Sequence, residues 1–304
     1  MFDILGIGEA LVEFAETKPS EYRQSFAGDI INTLFYASQL GLRASFFSTF
    51  GKDTYTNDLL AFLNEAGIDH SSCKISRDKN NGLYVIRSQD NGEPEFTFFR
   101  ENSAARTTFA DFEQRTLTNL IGQTKVVIFS GIVLAVFRDV EKLIELLREN
   151  KNKTIVYFDV NVRQALWPDI TALDDWIGRI ASVVDIISLS VSDDEKIFGS
   201  RSSSEMIECY REYGYSMIIL RDGANDVLLN FDGKTHTVPV HPEQTVVDAT
   251  GAGDAFNAAF IYSYLGGRTP EVSAKMGNSA AAQVLRYHGG IVKEFDPCKI
   301  LLQQ

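Results

Sequence analysis

The strongest constraint on the fold is a series of short, nearly continuous apolar runs: Val126 to Ser130, Thr154 to Asp159, Val184 to Leu189 and Met217 to Leu220. Stretches with helical spacing separate them, at Asp139 to Glu149, Asp174 to Ser182, Asp193 to Phe198 and Ser203 to Tyr213. Apolar strands alternating with helices predict a mainly parallel sheet covered on both faces, a three-layer α/β/α arrangement. The first half fits the same plan. Leu5 and Ile7 sit in an apolar opening run, and Asp29 to Leu40 reads as a helix with Asp29 as N-cap and Gly41 as its stop. A strand is expected over Ser45 to Phe50, and a helix over Asp53 to Ala66 ending at Gly67. Thr269-Pro270-Glu271 combines a cap, a proline at the first position and an acid in the first turn, which predicts a helix running to about Tyr287.

One region departs from this alternation. Gly82 to Ser88 and Glu95 to Arg100 are strand-like and are joined by Gln89-Asp90-Asn91-Gly92, whose Asn-Gly pair is a strong hairpin signal. With Leu11 to Phe14 and Tyr22 to Phe26 they predict a small antiparallel sheet, inserted from about 11–27 and 82–101 as a lid on one domain covering 1–304. No linker, low-complexity tract or repeat interrupts the chain.

The charge balance excludes some partners. Lys and Arg total 29 against 41 Asp and Glu, a net charge of −12, which disfavours non-specific nucleic-acid binding. An anionic ligand must then be held by local cations or backbone N–H groups against the global field. The three cysteines, Cys73, Cys209 and Cys298, show no C-x-x-C spacing, so neither a disulfide framework nor a structural zinc site is expected. No basic region precedes an apolar run at the N-terminus, and no stretch is apolar and long enough to span a bilayer. A cytoplasmic protein without membrane partners is expected. Gly6-Ile7-Gly8 lacks the third glycine of a dinucleotide fingerprint, there is no G-x-x-x-x-G-K-[ST] loop, and the four histidines lack metal spacing.

The most informative segment is Asp248-Ala249-Thr250-Gly251-Ala252-Gly253-Asp254. A strand-like run, Thr245 to Val247, leads into it, and a helix rich in small residues, Asp254 to Leu265, follows. Glycines at a strand-to-helix junction let backbone N–H groups turn toward an anion, and the helix N-terminus adds partial positive charge. In the first turn Asp254 is expected to be ionised, ready to accept a hydrogen bond from an incoming hydroxyl. That is the orienting acceptor phosphoryl transfer requires. A plain acid at a helix start accounts for the carboxylate alone, but not for the whole segment.

This segment resembles the second signature of the PfkB, or ribokinase-like, carbohydrate kinase family. Ala27-Gly28-Asp29-Ile30-Ile31-Asn32-Thr33, Leu40-Gly41 and Gly51-Lys52-Asp53 resemble its first, sugar-binding signature. In that reading Gly28 lets a ligand approach the backbone, while Asp29 and Asn32 bond sugar hydroxyls. An N-cap followed by a buried Asn explains the last two equally well. Gly82-Leu83-Tyr84, Phe99-Arg100-Glu101-Asn102-Ser103-Ala104-Ala105, Ser130-Gly131-Ile132 and the run Asp159 to Trp167 are similar to the 2-dehydro-3-deoxygluconokinase (KDG kinase) group. The resemblance, from Ile4 to about Gly290, implies ATP-dependent phosphorylation of the 6-hydroxyl of 2-dehydro-3-deoxy-D-gluconate. Asp254 would act as acceptor, with Gly251, Ala252 and Gly253 donating to the transferring group. Arg100 and Arg163 have the donor forks suited to a sugar-acid carboxylate. Tyr84 and Phe98 would line the substrate site. Where the group carries tyrosines before Arg100, this chain has Phe96-Thr97-Phe98-Phe99, so stacking and backbone contacts replace phenolic hydrogen bonds.

For the nucleotide, Arg221-Asp222-Gly223 resembles the family's Lys-x-Gly, and Asn278 matches a position near the adenine. Asn161, Arg163, Thr250, Gly251 and Gly253 complete the implied ATP site. Ser192-Asp193-Asp194-Glu195 resembles an Asn-x-x-Glu element associated with Mg2+, which singles out Glu195. Asp248 and Thr250 are implied ligands for a monovalent cation such as K+. A homo-oligomer is also expected. A fructokinase or other neutral-sugar kinase is the alternative activity, and a ligand-binding regulator without activity is the alternative class.

Overall fold

The computed structural model describes residues 1–88, 94–110, 112–241, 243 and 245–301. A nine-stranded sheet runs from edge to edge through Lys234–Val238, Asn225–Phe231, Met217–Asp222, Ile186–Ser190, Ile155–Asp159, Thr124–Ser130, Phe2–Ile7, Ala44–Phe47 and Ile68–Asp69. Every pairing from Met217–Asp222 to Ile68–Asp69 is parallel, and the two strands beyond Met217–Asp222 are antiparallel.

The near-continuous apolar runs resolve into two cores by the period-2 geometry of a strand. Val126 and Ile128 join the core on one face, Val127 and Phe129 the core on the other. The first face is covered by the helices Asp29–Gln39, Thr56–Glu65, Ala252–Leu265 and Pro270–Val284. The second is covered by Gln114–Gly122, Glu141–Glu149, Thr171–Ile180 and Ser203–Glu212. This is the three-layer arrangement the alternation predicts. Among the described residues no helix is long and apolar enough to cross a membrane.

A second sheet contains Glu21–Ala27, Leu11–Lys18, Gly82–Ser88 and Pro94–Phe99 in that order. Its outer pairings are antiparallel and its middle pairing, Leu11–Lys18 with Gly82–Ser88, is parallel. The predicted Asn91-Gly92 turn lies outside the described residues. Thr49–Phe50 pairs with Lys74–Ile75 in a third, two-stranded sheet.

Four local expectations need correction. The run from Ser45 to Phe50 is two strands in different sheets, because Thr49 N donates to Thr108 Oγ1 rather than continuing the main ladder. The second helix begins at Thr56, not Asp53, whose carboxylate instead accepts from Asn81 N and Nδ2. Thr245 to Val247 is irregular, with Val247 N and Asp248 N both donating to Leu285 O. That carbonyl lies just past the helix end at Val284, short of the expected Tyr287.

The order of the main sheet reverses between Thr124–Ser130 and Phe2–Ile7. In an open parallel sheet the crevice beyond the carboxyl ends of strands at such a reversal is where ligands bind. Asp159 ends its strand there, and Asn161 and Arg163 follow it.

Candidate active site

The helix Ala252–Leu265 opens on Gly251, whose φ of 79° lies in the left-handed region. A Cβ at Gly251 would sit 2.5 Å from Gly290 O, so glycine is required there by both torsion and space. The tight turn leaves the first-turn N–H groups of Gly253 and Asp254 without i−4 partners, in the geometry that binds anions.

Asp254 lies in that turn and is 9% exposed. Its Oδ2 accepts a 2.8 Å hydrogen bond from Asn32 Nδ2, which joins residues 222 positions apart. Burial, with the negative charges of Asp29 and Asp159, pushes its carboxyl up to about 8, while Asn32 and the Arg163 guanidinium act the other way. This corrects the expectation of an ordinary ionised helix-start acid: desolvation and two neighbouring carboxylates outweigh the helix terminus. Asn32 is wedged against Gly290, where a Cβ would lie 2.5 Å from Asn32 Nδ2.

Asp29 is the first residue of its helix rather than the N-cap, which is Gly28. Its carboxylate is thereby free to accept a 2.9 Å bond from Asn161 Nδ2. Asn161 adopts φ 36°, a conformation rare for a residue other than glycine and concentrated at functional sites. Glycine at 28 is needed because a Cβ there would strike Glu9 O.

Arg221, at the end of Met217–Asp222, donates from NH2 to Asp159 Oδ1 at 3.0 Å. Its NH1 lies so close to Gly253 that a Cβ on residue 253 would collide with it. Asp159 is pushed up to about 6, chiefly by burial and against the pull of Arg221. Thus Asn32, Asp29, Asn161, Arg163, Arg221, Gly251, Gly253 and Asp254 converge on one helix terminus, and Ala252 is its first helical residue.

The other expected residues are placed as follows. Arg100 is buried and forms an ion pair with Glu9, which also accepts from Ser103. Tyr84 donates to Glu13, stacks on Phe98 at 5.2 Å and lies within the electrostatic reach of Asp248 and Asp254. Phe98 in turn faces the Arg100 guanidinium at 5.8 Å. Asp248 accepts from Thr250 N at 2.9 Å and Gly289 N at 2.8 Å. Gly223 has φ 55° and open space at its α-carbon. Asn278 donates to Pro239 O at 3.3 Å on the neighbouring Pro270–Val284 helix. Glu195 is exposed and accepts from Ser200. The acid of that segment whose charge reaches Asp159 and Arg221 is Asp193, which also caps its own helix with Ser190.

Sequence reasoning missed Glu9, Asp193 and Asn257. Asn257 carried a signal: it is a polar residue in the mostly apolar stretch that follows Asp254 in its helix, and it is fully buried. Among the described residues no group of three or more His, Cys, Asp and Glu side chains could hold a metal unaided. The donors present, a glycine-lined helix terminus and a guanidinium whose Nε is buried without a partner, suit phosphate oxygens.

Comparison with known proteins supplies the family. The 2-dehydro-3-deoxygluconokinase of Escherichia coli K12 is 27% identical over 296 residues, covering 94% of this chain and 96% of its own. The enzyme of the same name from Haemophilus influenzae is 28% identical over 301 residues, covering 96% of each. The crystal structure of fructokinase with bound ATP from Xylella fastidiosa superposes with a TM-score of 0.85 at 19% identity, covering 99% of this chain and 97% of that one. The model of the pfkB family carbohydrate kinases matches residues 1–295. The glycine-bounded helix terminus and its buried aspartate therefore sit in a chain that belongs to the pfkB family of carbohydrate kinases.

Proposed function

We propose that this carbohydrate kinase transfers the γ-phosphoryl of ATP to the 6-hydroxyl of 2-dehydro-3-deoxy-D-gluconate. The observation that carries the chemistry is Asp254 buried at an anion-binding helix N-terminus and oriented by Asn32. The relatives named above supply the substrate class.

Asp254 accepts the proton of the sugar hydroxyl as its oxygen bonds to phosphorus and the bond to ADP breaks. Gly253 and Asp254 would turn their N–H groups toward the transferring group, whereas Ala252 N already donates to Ala249 O, and Arg221 adds positive charge beside Gly253. ATP would supply the phosphoryl group, and a divalent ion such as Mg2+, when bound, would supply charge neutralisation for its oxygens. Asp193, whose charge reaches Asp159 and Arg221, and Glu195 two residues on would be the acids for that ion, and Asp248 with Thr250 would be the residues for a monovalent cation. Gly223 and Asn278 would flank the nucleotide. Gly28, Asp29, Asn32, Tyr84, Phe98, Arg100 and Arg163 would line the sugar.

A neutral sugar is the second reading, and one observation favours it: Arg100 is already neutralised by Glu9. ADP release measured with 2-dehydro-3-deoxy-D-gluconate, fructose and ribose separates the two. Fructose turnover with an inert sugar acid ends the sugar-acid reading. If Arg163 serves the carboxylate, Arg163→Ala lowers kcat/KM for the sugar acid at least about tenfold more than for fructose. An equal loss on both assigns Arg163 to the phosphoryl end, where its charge already acts on Asp254.

The raised Asp254 carboxyl also predicts a pH profile. A proton acceptor must be ionised, so kcat/KM climbs about tenfold per pH unit until it levels near a pH of about 8. A profile flat from pH 6 upward, measured at constant ionic strength, contradicts a buried, uncompensated Asp254.

A further inference from the structure

Behind the helix terminus, and joined to Arg221, lies a chain of buried polar side chains that none of the assigned roles uses. Asn257, on the same helix as Asp254 and one turn further on, is 0% exposed. Its Oδ1 accepts from Tyr157 Oη at 2.8 Å and from Ser188 Oγ at 3.2 Å. The Asp159 carboxylate, an acceptor only, fixes which way the amide faces: Nδ2 donates to its Oδ2 at 2.9 Å, which leaves Oδ1 to take the two hydroxyls. The other oxygen of Asp159 takes Arg221 NH2. The guanidinium also lies over the Phe256 ring at 5.6 Å.

This chain of contacts settles where the charge of Arg221 falls. NH2 is tied to Asp159, Nε is buried with no partner, and NH1 abuts the α-carbon of Gly253. A buried ion pair by itself contributes little net stability and is often replaceable by apolar groups. Four side chains arranged to hold one end of a guanidinium, leaving the other at an anion-binding terminus, fit preorganisation for developing charge better.

We propose that Arg221 is a catalytic cation for the transferring phosphoryl group, and that Asp159 and Asn257 are positioning residues that hold its NH1 end against Gly253. The inference rests on the phosphoryl-transfer reading above, but not on which sugar is the acceptor.

The test uses whichever sugar the wild-type enzyme phosphorylates. Arg221→Met combined with Asp159→Asn removes the cation without leaving a buried lone carboxylate, and kcat is expected to fall by about 10²- to 10³-fold. Asn257→Ser, which keeps the ion pair, is expected to lower kcat by up to about 10²-fold through misplacement alone. The discriminating readout is the affinity for MgADP with and without fluoroaluminate, a mimic of the transferring group, in the presence of the sugar. In both variants MgADP affinity stays near that of the wild type while the gain from fluoroaluminate shrinks about as much as kcat. Full kcat and an undiminished fluoroaluminate gain in Asn257→Ser overturn the proposal. So does a parallel loss of MgADP affinity and Tm, which marks a structural role. If the double variant does not fold, Asn257→Ser decides alone. A wild-type enzyme that phosphorylates none of the sugars ends the transfer reading instead, so the two failures are distinguishable.

Discussion

Asp254→Asn is expected to lower kcat by about 10²- to 10⁴-fold while leaving MgATP binding intact, because it removes the proton acceptor and keeps the shape. The asparagine oxygen can still accept from Asn32, so the 2.8 Å contact survives. The same variant is expected to be more stable than the wild type at neutral and alkaline pH. Folding raises the Asp254 carboxyl from an ordinary value near 3.8 to about 8. Below the lower value the group is neutral in both states and costs nothing. Between the two values the unfolded chain releases the proton and the folded protein keeps it, so wild-type stability declines as pH rises; above about 8 the deficit is constant. The Tm difference between variant and wild type should therefore open from about pH 4 and level off near pH 8. Thermal unfolding across that range, beside steady-state kinetics, checks both halves. A catalytic loss with no pH-dependent Tm gain leaves Asp254 functional but not strained. A wild-type protein with no transfer to lose supports the regulator class instead.

What could be read from the sequence follows the range of the interactions involved. The strands from Val126 to Leu220 were legible because an apolar run between helices has few solutions, and the Thr269 cap was legible because it is local, accepting from Val272 N. The second-signature segment was legible because its glycines and acids mark a tight turn into a helix, although the strand expected before it is irregular. The antiparallel edge pair Asn225–Phe231 and Lys234–Val238 was overlooked, although Asp232-Gly233 between them, both with positive φ, is a hairpin signal of the same kind as Asn91-Gly92. The upward shift of the Asp254 carboxyl was not legible at all. It depends on Asp29 and Asp159, brought in from a different helix and a different strand, and on burial that only the packed fold supplies. Glu9 and Asn257 were hidden for a related reason. A single polar residue in an apolar stretch announces a buried polar group, but its partners, Arg100 for one and Asp159 for the other, come from elsewhere in the chain.

Gly253→Ala and Gly251→Ala should separate function from folding within one turn of chain. At Gly253 the added methyl meets the NH1 end of Arg221, a side-chain atom, and no positive φ is recorded for the residue. The backbone tolerates alanine, which is a good helix former, so Tm should fall only by the cost of shifting NH1, less than at Gly251. The methyl nevertheless displaces the guanidinium from its place beside the helix terminus, where it is proposed to face the transferring phosphoryl group. Arg221 cannot simply swing aside, because Asp159 would be left buried without its cation. A loss in kcat of about 10²-fold or more is expected, with the sugar still bound. At Gly251 the methyl meets Gly290 backbone atoms at 2.5 to 2.9 Å and the residue sits at φ 79°. Neither neighbour can rotate away, so the strain, about 1–3 kcal/mol for the torsion alone, falls on the fold. Gly251→Ala should lower Tm and the yield of folded protein as well as activity. The decisive comparison is kcat per folded molecule in the two variants. If Gly253→Ala retains wild-type kcat, the placing of NH1 against Gly253 does not serve transfer, and the arginine there is only a partner for Asp159.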